Sequence, residues 1–135
     1  MSDPRFLRQY LNLLTESENV SAADVWHYVR QLNVYDDGEE PTALRDWIAK
    51  FPRWQLKDVP VDSLIIPPSD EDDAPPLRTP YVQAISISPD DVNVHNVDRL
   101  PIIVDPDGYI LDGNHRAWAA KNLLHHDTIK AYVAL

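Results

Sequence analysis

The sequence predicts an α+β fold in which a small mixed β-sheet with flanking helices follows an N-terminal helical extension. Apolar residues recur with helical spacing through about the first fifty positions, whereas from Trp54 onward they fall in short β-like runs separated by prolines. A length of 135 residues suits one core and is too short for two domains of ordinary size. We therefore predict a helical extension at residues 1–53 and an α/β domain at residues 54–135.

Three helices are predicted in the extension. Asp3 followed by Pro4 is typical of a helix start, Ser21 with Asp24 resembles a capping box, and Pro52 ends the third helix. The acidic segment Asp36–Glu40 joins the second and third helices. The predicted apolar faces are Phe6, Leu7, Tyr10, Leu11 and Leu14, then Val25, Trp26, Val29 and Leu32, then Leu44, Trp47, Ile48 and Phe51.

The middle of the chain is rich in proline. Val59–Ile66 is predicted as a strand, and Pro60 restricts its start to a sheet edge or an irregular entry. Pro67–Pro80 is an acidic loop with too few apolar residues for a core element. The pattern of Tyr81–Ile87 is compatible with a short helix or a strand, and the sequence does not separate the two.

The C-terminal elements have clearer signals. Leu100–Val104 and Gly108–Leu111 are predicted to form a hairpin, because the proline and glycine of Asp105–Gly108 suit a tight turn. A helix is expected over about Asn114–Leu124, and the alternating run Thr128–Val133 predicts a final strand.

Composition excludes several classes of function. The absence of cysteine excludes disulfides, thiolate metal sites and cysteine nucleophiles. A formal net charge of −10, from 12 basic and 22 acidic residues, makes duplex DNA binding unfavourable, because such binding depends on cations that displace counterions. The acidic runs, such as Asp70–Asp73, are expected either to be solvated loops or to contact a protein partner. The sequence shows no secretory signal and no membrane span, which favours a cytoplasmic protein.

The segment Ile110–Ala120 is the most informative part of the chain. It predicts a strand that ends in a tight turn and leads directly into a helix. The first turn of a helix exposes backbone N–H groups at the positive end of the helix dipole, so an anion can bind there, with His115 and Arg116 available to hold it. The sequence therefore predicts a phosphate site.

Residues 54–135 also resemble the ParB/sulfiredoxin superfamily. The resemblance is carried, in order, by Leu64–Pro67, Arg78 after the proline-rich loop, Pro101–Val104, Asp112–Arg116 at the helix start and Ile129–Val133. It implies a small α/β domain in which this helix start binds the phosphates of a nucleotide such as ATP, ADP or CTP, with Mg²⁺ as a candidate cofactor. Members include reductases, kinases, partition proteins and proteins of phages and plasmids.

By position, the resemblance assigns phosphate binding to Arg78, Gly113, Asn114, His115 and Arg116. Because Asn114 occupies the place of the sulfiredoxin catalytic cysteine, reductase chemistry is excluded. The partition proteins carry Glu-Arg-Arg after the glycine, where this chain has Asn-His-Arg, so clamp-like sliding on DNA is not expected.

The residues around the turn leave alternatives open. Asp112 is a candidate helix N-cap, and it is also a candidate Mg²⁺ ligand or proton acceptor. His115 either takes part in catalysis and ligand binding or hydrogen-bonds to the backbone to fix the turn. Arg116 either clamps the anion or forms a surface salt bridge.

Two classes of function follow from these alternatives. The first is a nucleotide-dependent phosphotransferase or phosphohydrolase in which Asp112 and His115 are catalytic. The second is a non-catalytic acidic interaction protein of phage or plasmid origin. It would engage a host or partition partner through its acidic surface or its N-terminal helices.

Overall fold

A computed structural model describes residues 19–32 and 42–135 of the protein. The helix predicted after Asp3 and the acidic segment Asp36–Glu40 lie outside these residues. No helix in the two described segments is long and apolar enough to span a membrane. The described elements are β1 (Val20–Ser21), α1 (Ala22–Leu32), α2 (Thr42–Ala49), β2 (Arg53–Pro60), β3 (Ile102–Val104), β4 (Ile110–Asp112), α3 (Asn114–Asn122) and β5 (Thr128–Ala134).

The predicted α+β fold is confirmed as a mixed five-stranded sheet with three helices in the described part of the chain. The strand order is β1-β2-β5-β3-β4, and β3 and β5 are the parallel pair among antiparallel neighbours. Two parallel strands need a crossover connection, which β4 and α3 supply. The start of α3 therefore lies at the end of edge strand β4.

The prediction of a strand at Val59–Ile66 is wrong, because the observed strand lies earlier in the chain. The observed strand β2 ends at Pro60, whose partner in β5 is Thr128. A 3₁₀ turn follows at Val61–Ser63, and Ile65 makes only an isolated bridge to Tyr109. The strand ends at this pair because Thr128 is the first residue of β5, so β2 has no strand partner beyond Pro60.

The hairpin, the last helix and the last strand are confirmed. In the hairpin turn the backbone N–H of Asp105 donates to the carbonyl of Tyr109 at 2.9 Å, and Gly108 adopts a φ of +92°. A side chain on Gly108 would place its Cβ 2.6 Å from the carbonyl oxygen of Ser63, so glycine is needed there for space as well as for conformation.

The sheet carries a hydrophobic cluster on each face. In β3, Ile102 packs with Trp118 of α3, whereas its neighbour Ile103 packs with Val25 and Val29 of α1. Successive strand residues point to opposite faces, so this alternation places α3 on one side and α1 with α2 on the other. Trp118 is buried in the cluster on the α3 side.

The long connection between β2 and β3 contains neither a strand nor an α-helix. Tyr81–Ile87 adopts neither of the two alternatives, and isolated bridges pair Leu77 with Ile85 and Ser69 with Ile87. Ile87 and Val97 nevertheless pack into the cluster on the α3 side, fully buried or nearly so. The connection is therefore anchored to the core without regular structure.

Candidate functional site

Gly113 makes the turn between β4 and α3 possible. It is the N-cap of α3 and has a φ of +99° and a ψ of 23°, a left-handed conformation that residues with a Cβ rarely adopt. A Cβ at this position would lie 2.5 Å from Cγ2 of Ile102 and 2.9 Å from Nη2 of Arg116. Both the backbone angle and the lack of space therefore require glycine.

The first turn of α3 has backbone N–H groups without acceptors. The first helical bond runs from the N–H of Ala117 to the carbonyl of Gly113 at 3.0 Å, and no side chain caps the helix. The N–H groups of Asn114, His115 and Arg116 consequently have no acceptor among the described residues. These N–H groups and the helix dipole together favour an anion at this position.

The structure corrects the prediction that Asp112 is the helix N-cap. Asp112 is the last residue of β4, and its carboxylate accepts a hydrogen bond from the N–H of Gly113. Its Oδ2 is buried and has no hydrogen-bond partner in the described part of the chain. Burial raises the pKa of Asp112 above its ordinary value, although the charge of Arg116 and the bond from Gly113 act in the opposite direction. The fold thus favours the neutral carboxyl group.

Arg116 is turned partly into the protein instead of forming a surface salt bridge. Its Nη2 donates to the carbonyl oxygen of Pro101 at 3.2 Å. Its Nε is buried and finds no acceptor among the residues described. The guanidinium group therefore lies beside the start of α3 with its buried Nε donor unused.

His115 is exposed, and its ring forms no hydrogen bond with the described residues. The turn is fixed by Gly113 and not by an imidazole bond to the backbone, which was the structural alternative for this residue. An exposed imidazole in the first helical turn is free to contact a ligand bound at the N–H groups.

Tyr28 of α1 belongs to the same site, which the sequence did not reveal. Its hydroxyl donates to the carbonyl oxygen of Pro101 at 2.6 Å, the atom that also accepts from Arg116. Its ring packs against that of Tyr132, with centroids 5.1 Å apart. Burial raises the pKa of Tyr28, which keeps its hydroxyl protonated. No local pattern connects Tyr28 with residues so distant in the chain.

Arg78 is not brought to α3 by any described contact. It is exposed in the proline-rich connection, next to Leu77, which bridges to Ile85. It therefore remains a predicted ligand residue without a structural link to the turn at Gly113.

The acidic segment Asp70–Asp73 lies along the second half of α3 and not at its start. Oγ of Ser69 accepts a hydrogen bond from Nε1 of Trp118 at 3.2 Å. Asp72 and Lys121 line the same surface cavity of about 360 Å³. No contact among the described residues brings this segment to the start of α3.

A metal ion is not held by a ready-made set of ligands in the described segments. No group of three or more His, Cys, Asp or Glu side chains lies together there in a way that suits a metal. Asp112 supplies a single carboxylate, whereas Mg²⁺ takes six oxygen ligands in octahedral geometry. Any Mg²⁺ at this turn would have to be held largely by the phosphates of a ligand.

No protein family matches this chain, and no curated protein or solved structure shows significant similarity to it. The resemblance to the ParB/sulfiredoxin superfamily therefore rests on the motifs of residues 54–135 alone.

Proposed function

We propose that the start of α3 binds a phosphate group, and that the natural ligand is a nucleotide such as ATP, ADP or CTP. The observation that carries this proposal is the uncapped first turn, where the N–H groups of Asn114, His115 and Arg116 have no acceptor among the described residues. A phosphate oxygen is an acceptor of the right charge for these donors.

The overall charge of −10 does not oppose this proposal. Exposed charges further away than a Debye length of about 8 Å are largely screened at physiological ionic strength. The affinity for a ligand with a few phosphates therefore depends mainly on the hydrogen-bond donors at the turn. Duplex DNA presents many phosphates across a wide surface, where the excess of acidic residues acts against binding.

The same arrangement supports phosphoryl transfer or phosphate ester hydrolysis as the reaction class. The backbone N–H groups and Arg116 would stabilise negative charge that develops on the phosphate oxygens. His115 is exposed beside them and would take the proton from an attacking hydroxyl or water. Asp112 would be the second catalytic group of the site. Burial raises the pKa of its carboxyl group.

The proposal is tested by calorimetric titration with inorganic phosphate, ATP, ADP, CTP and GTP, with and without Mg²⁺. The decisive variant is His115→Glu, because a carboxylate in the first helical turn stabilises the helix while it repels a bound anion. We expect His115→Glu to abolish binding without lowering the melting temperature.

Thr128→Glu is the matched control, since it adds the same charge at an exposed position beyond the other end of α3. This variant should retain the affinity of the unaltered protein. The proposal is wrong if no phosphate compound binds, or if both variants weaken binding equally. Release of inorganic phosphate from the bound nucleotide then distinguishes a hydrolase from a binding protein.

The exposed acidic segment supports a second candidate function, binding of a basic protein partner. All residues of Asp70–Asp73 are exposed, and none forms an ion pair with a described residue. This function predicts a co-purifying basic protein that is lost when the four residues are changed to Asn or Gln. Retention of the partner by that variant would exclude the acidic segment as its binding surface.

A further inference from the structure

We propose that Tyr28 is a positioning residue for the phosphate site, because its hydroxyl frees Arg116 to turn from the protein to the ligand. This inference rests on the proposed function of the α3 start. It concerns the carbonyl oxygen of Pro101, which accepts hydrogen bonds from the Tyr28 hydroxyl at 2.6 Å and from Nη2 of Arg116 at 3.2 Å.

The two donors at this carbonyl are not equivalent. The tyrosine bond is short, whereas the arginine bond is near the long end of the usual range for N–H donors. Nε of Arg116 is moreover buried without an acceptor in the described part of the protein. Among the described residues the guanidinium group therefore has one long hydrogen bond, and it gains hydrogen bonds if it turns to an anion.

Breaking the hydrogen bond between Arg116 and Pro101 costs free energy, and the Tyr28 hydroxyl lowers this cost. If Arg116 were the sole donor, its departure would leave the part-buried carbonyl of Pro101 without a partner, which is unfavourable. With the Tyr28 hydroxyl in place, the carbonyl keeps a hydrogen bond after Arg116 moves. The movement of Arg116 to the ligand then leaves the carbonyl oxygen of Pro101 with a hydrogen bond.

The position of Tyr28 is secured by the helix that carries it. Val25 and Val29 on the same helix are fully buried against the sheet, and the Tyr28 ring packs against Tyr132 of β5. The hydroxyl consequently reaches Pro101 from a residue 73 positions earlier in the chain. The N-terminal helical segment thereby becomes part of the site.

The test is the affinity of Tyr28→Phe for inorganic phosphate and for the best nucleotide. The ring and its packing are retained, so the fold should persist, as checked by circular dichroism and urea unfolding. Among the described side chains Arg116 is then the remaining donor to Pro101, and we expect the dissociation constant to rise roughly twofold to tenfold, as for the loss of one hydrogen bond. Tyr132→Phe is the matched control, because its hydroxyl has no hydrogen-bond partner among the described residues. It should bind like the unaltered protein.

The effect of Tyr28→Phe must depend on Arg116. In an Arg116→Ala background, Tyr28→Phe should change the affinity by less than a factor of about two, since the competing donor is gone. An equal loss in both backgrounds, or no loss in the Arg116 protein, overturns the role of Tyr28 and leaves the phosphate site standing. Failure of the unaltered protein to bind any phosphate compound overturns the proposed function and this inference with it.

Discussion

Replacing Gly113 with alanine should destabilise the protein strongly, because the substitution conflicts with the fold in two separate ways. A residue with a Cβ at φ +99° is in a conformation that costs about 1–3 kcal/mol. The new methyl group would also lie 2.5 Å from Cγ2 of Ile102, a residue with no exposed surface, and overpacking of this kind costs about 1–3 kcal/mol. The sum is about 2–6 kcal/mol.

Urea unfolding followed by tryptophan fluorescence measures this loss, since Trp54 and Trp118 are both buried. At roughly 4 °C per kcal/mol for a chain of this size, the melting temperature should fall by about 8–24 °C. Asn114→Ala, one residue further along, has neither conflict and should change stability by less than about 1 kcal/mol. A Gly113→Ala protein as stable as the Asn114→Ala protein would refute the reasoning on space and backbone angle. Since the methyl group also approaches Nη2 of Arg116, phosphate affinity should fall as well.

Two further predictions concern buried polar groups. Burial raises the pKa of Asp112, so the folded state retains a proton that the unfolded chain releases, and the free energy of unfolding falls as pH rises above about 4. Asp112→Asn removes the titrating group and with it this pH dependence. The free energy of unfolding of the variant, relative to that of the unaltered protein, should therefore increase between pH 4 and pH 7. A difference that stays constant over this pH range would contradict the prediction. Tyr81→Phe keeps the ring contact with Trp47 but removes the hydroxyl that donates to Oδ2 of buried Asp105 at 3.1 Å. It should lower the free energy of unfolding by about 1–3 kcal/mol, and ultraviolet titration of the unaltered protein should show one tyrosine with a pKa of about 12.

The elements predicted correctly are those whose signals are local. The hairpin turn at Asp105–Gly108 depends on a glycine with positive φ, and α1 begins where Oγ of Ser21 accepts from the N–H of Asp24 at 3.1 Å. The final strand Thr128–Ala134 follows its alternating pattern. In each case neighbouring residues supply both the signal and the structure.

The strand at Val59–Ile66 and the helix cap at Asp112 were mispredicted for a related reason. Apolar residues continue past Pro60, but the pairing partner of β2 in β5 ends there, so the strand ends too. A carboxylate before a helix usually caps it, but in this chain Gly113 takes the cap position and the carboxyl group of Asp112 lies in the interior. Both outcomes depend on contacts with distant residues.

The strand-turn-helix unit, the glycine that it requires and the donors of its first turn can be read from the residues of this segment alone, because they depend on backbone conformation over a few consecutive residues. The groups that surround this turn depend instead on packing between distant parts of the chain. The sheet order places the start of α3 beside Pro101, and the packing of α1 brings Tyr28 to the same carbonyl that Arg116 contacts. The burial of Asp112 and the inward turn of Arg116 likewise result from neighbours that no local spacing reveals.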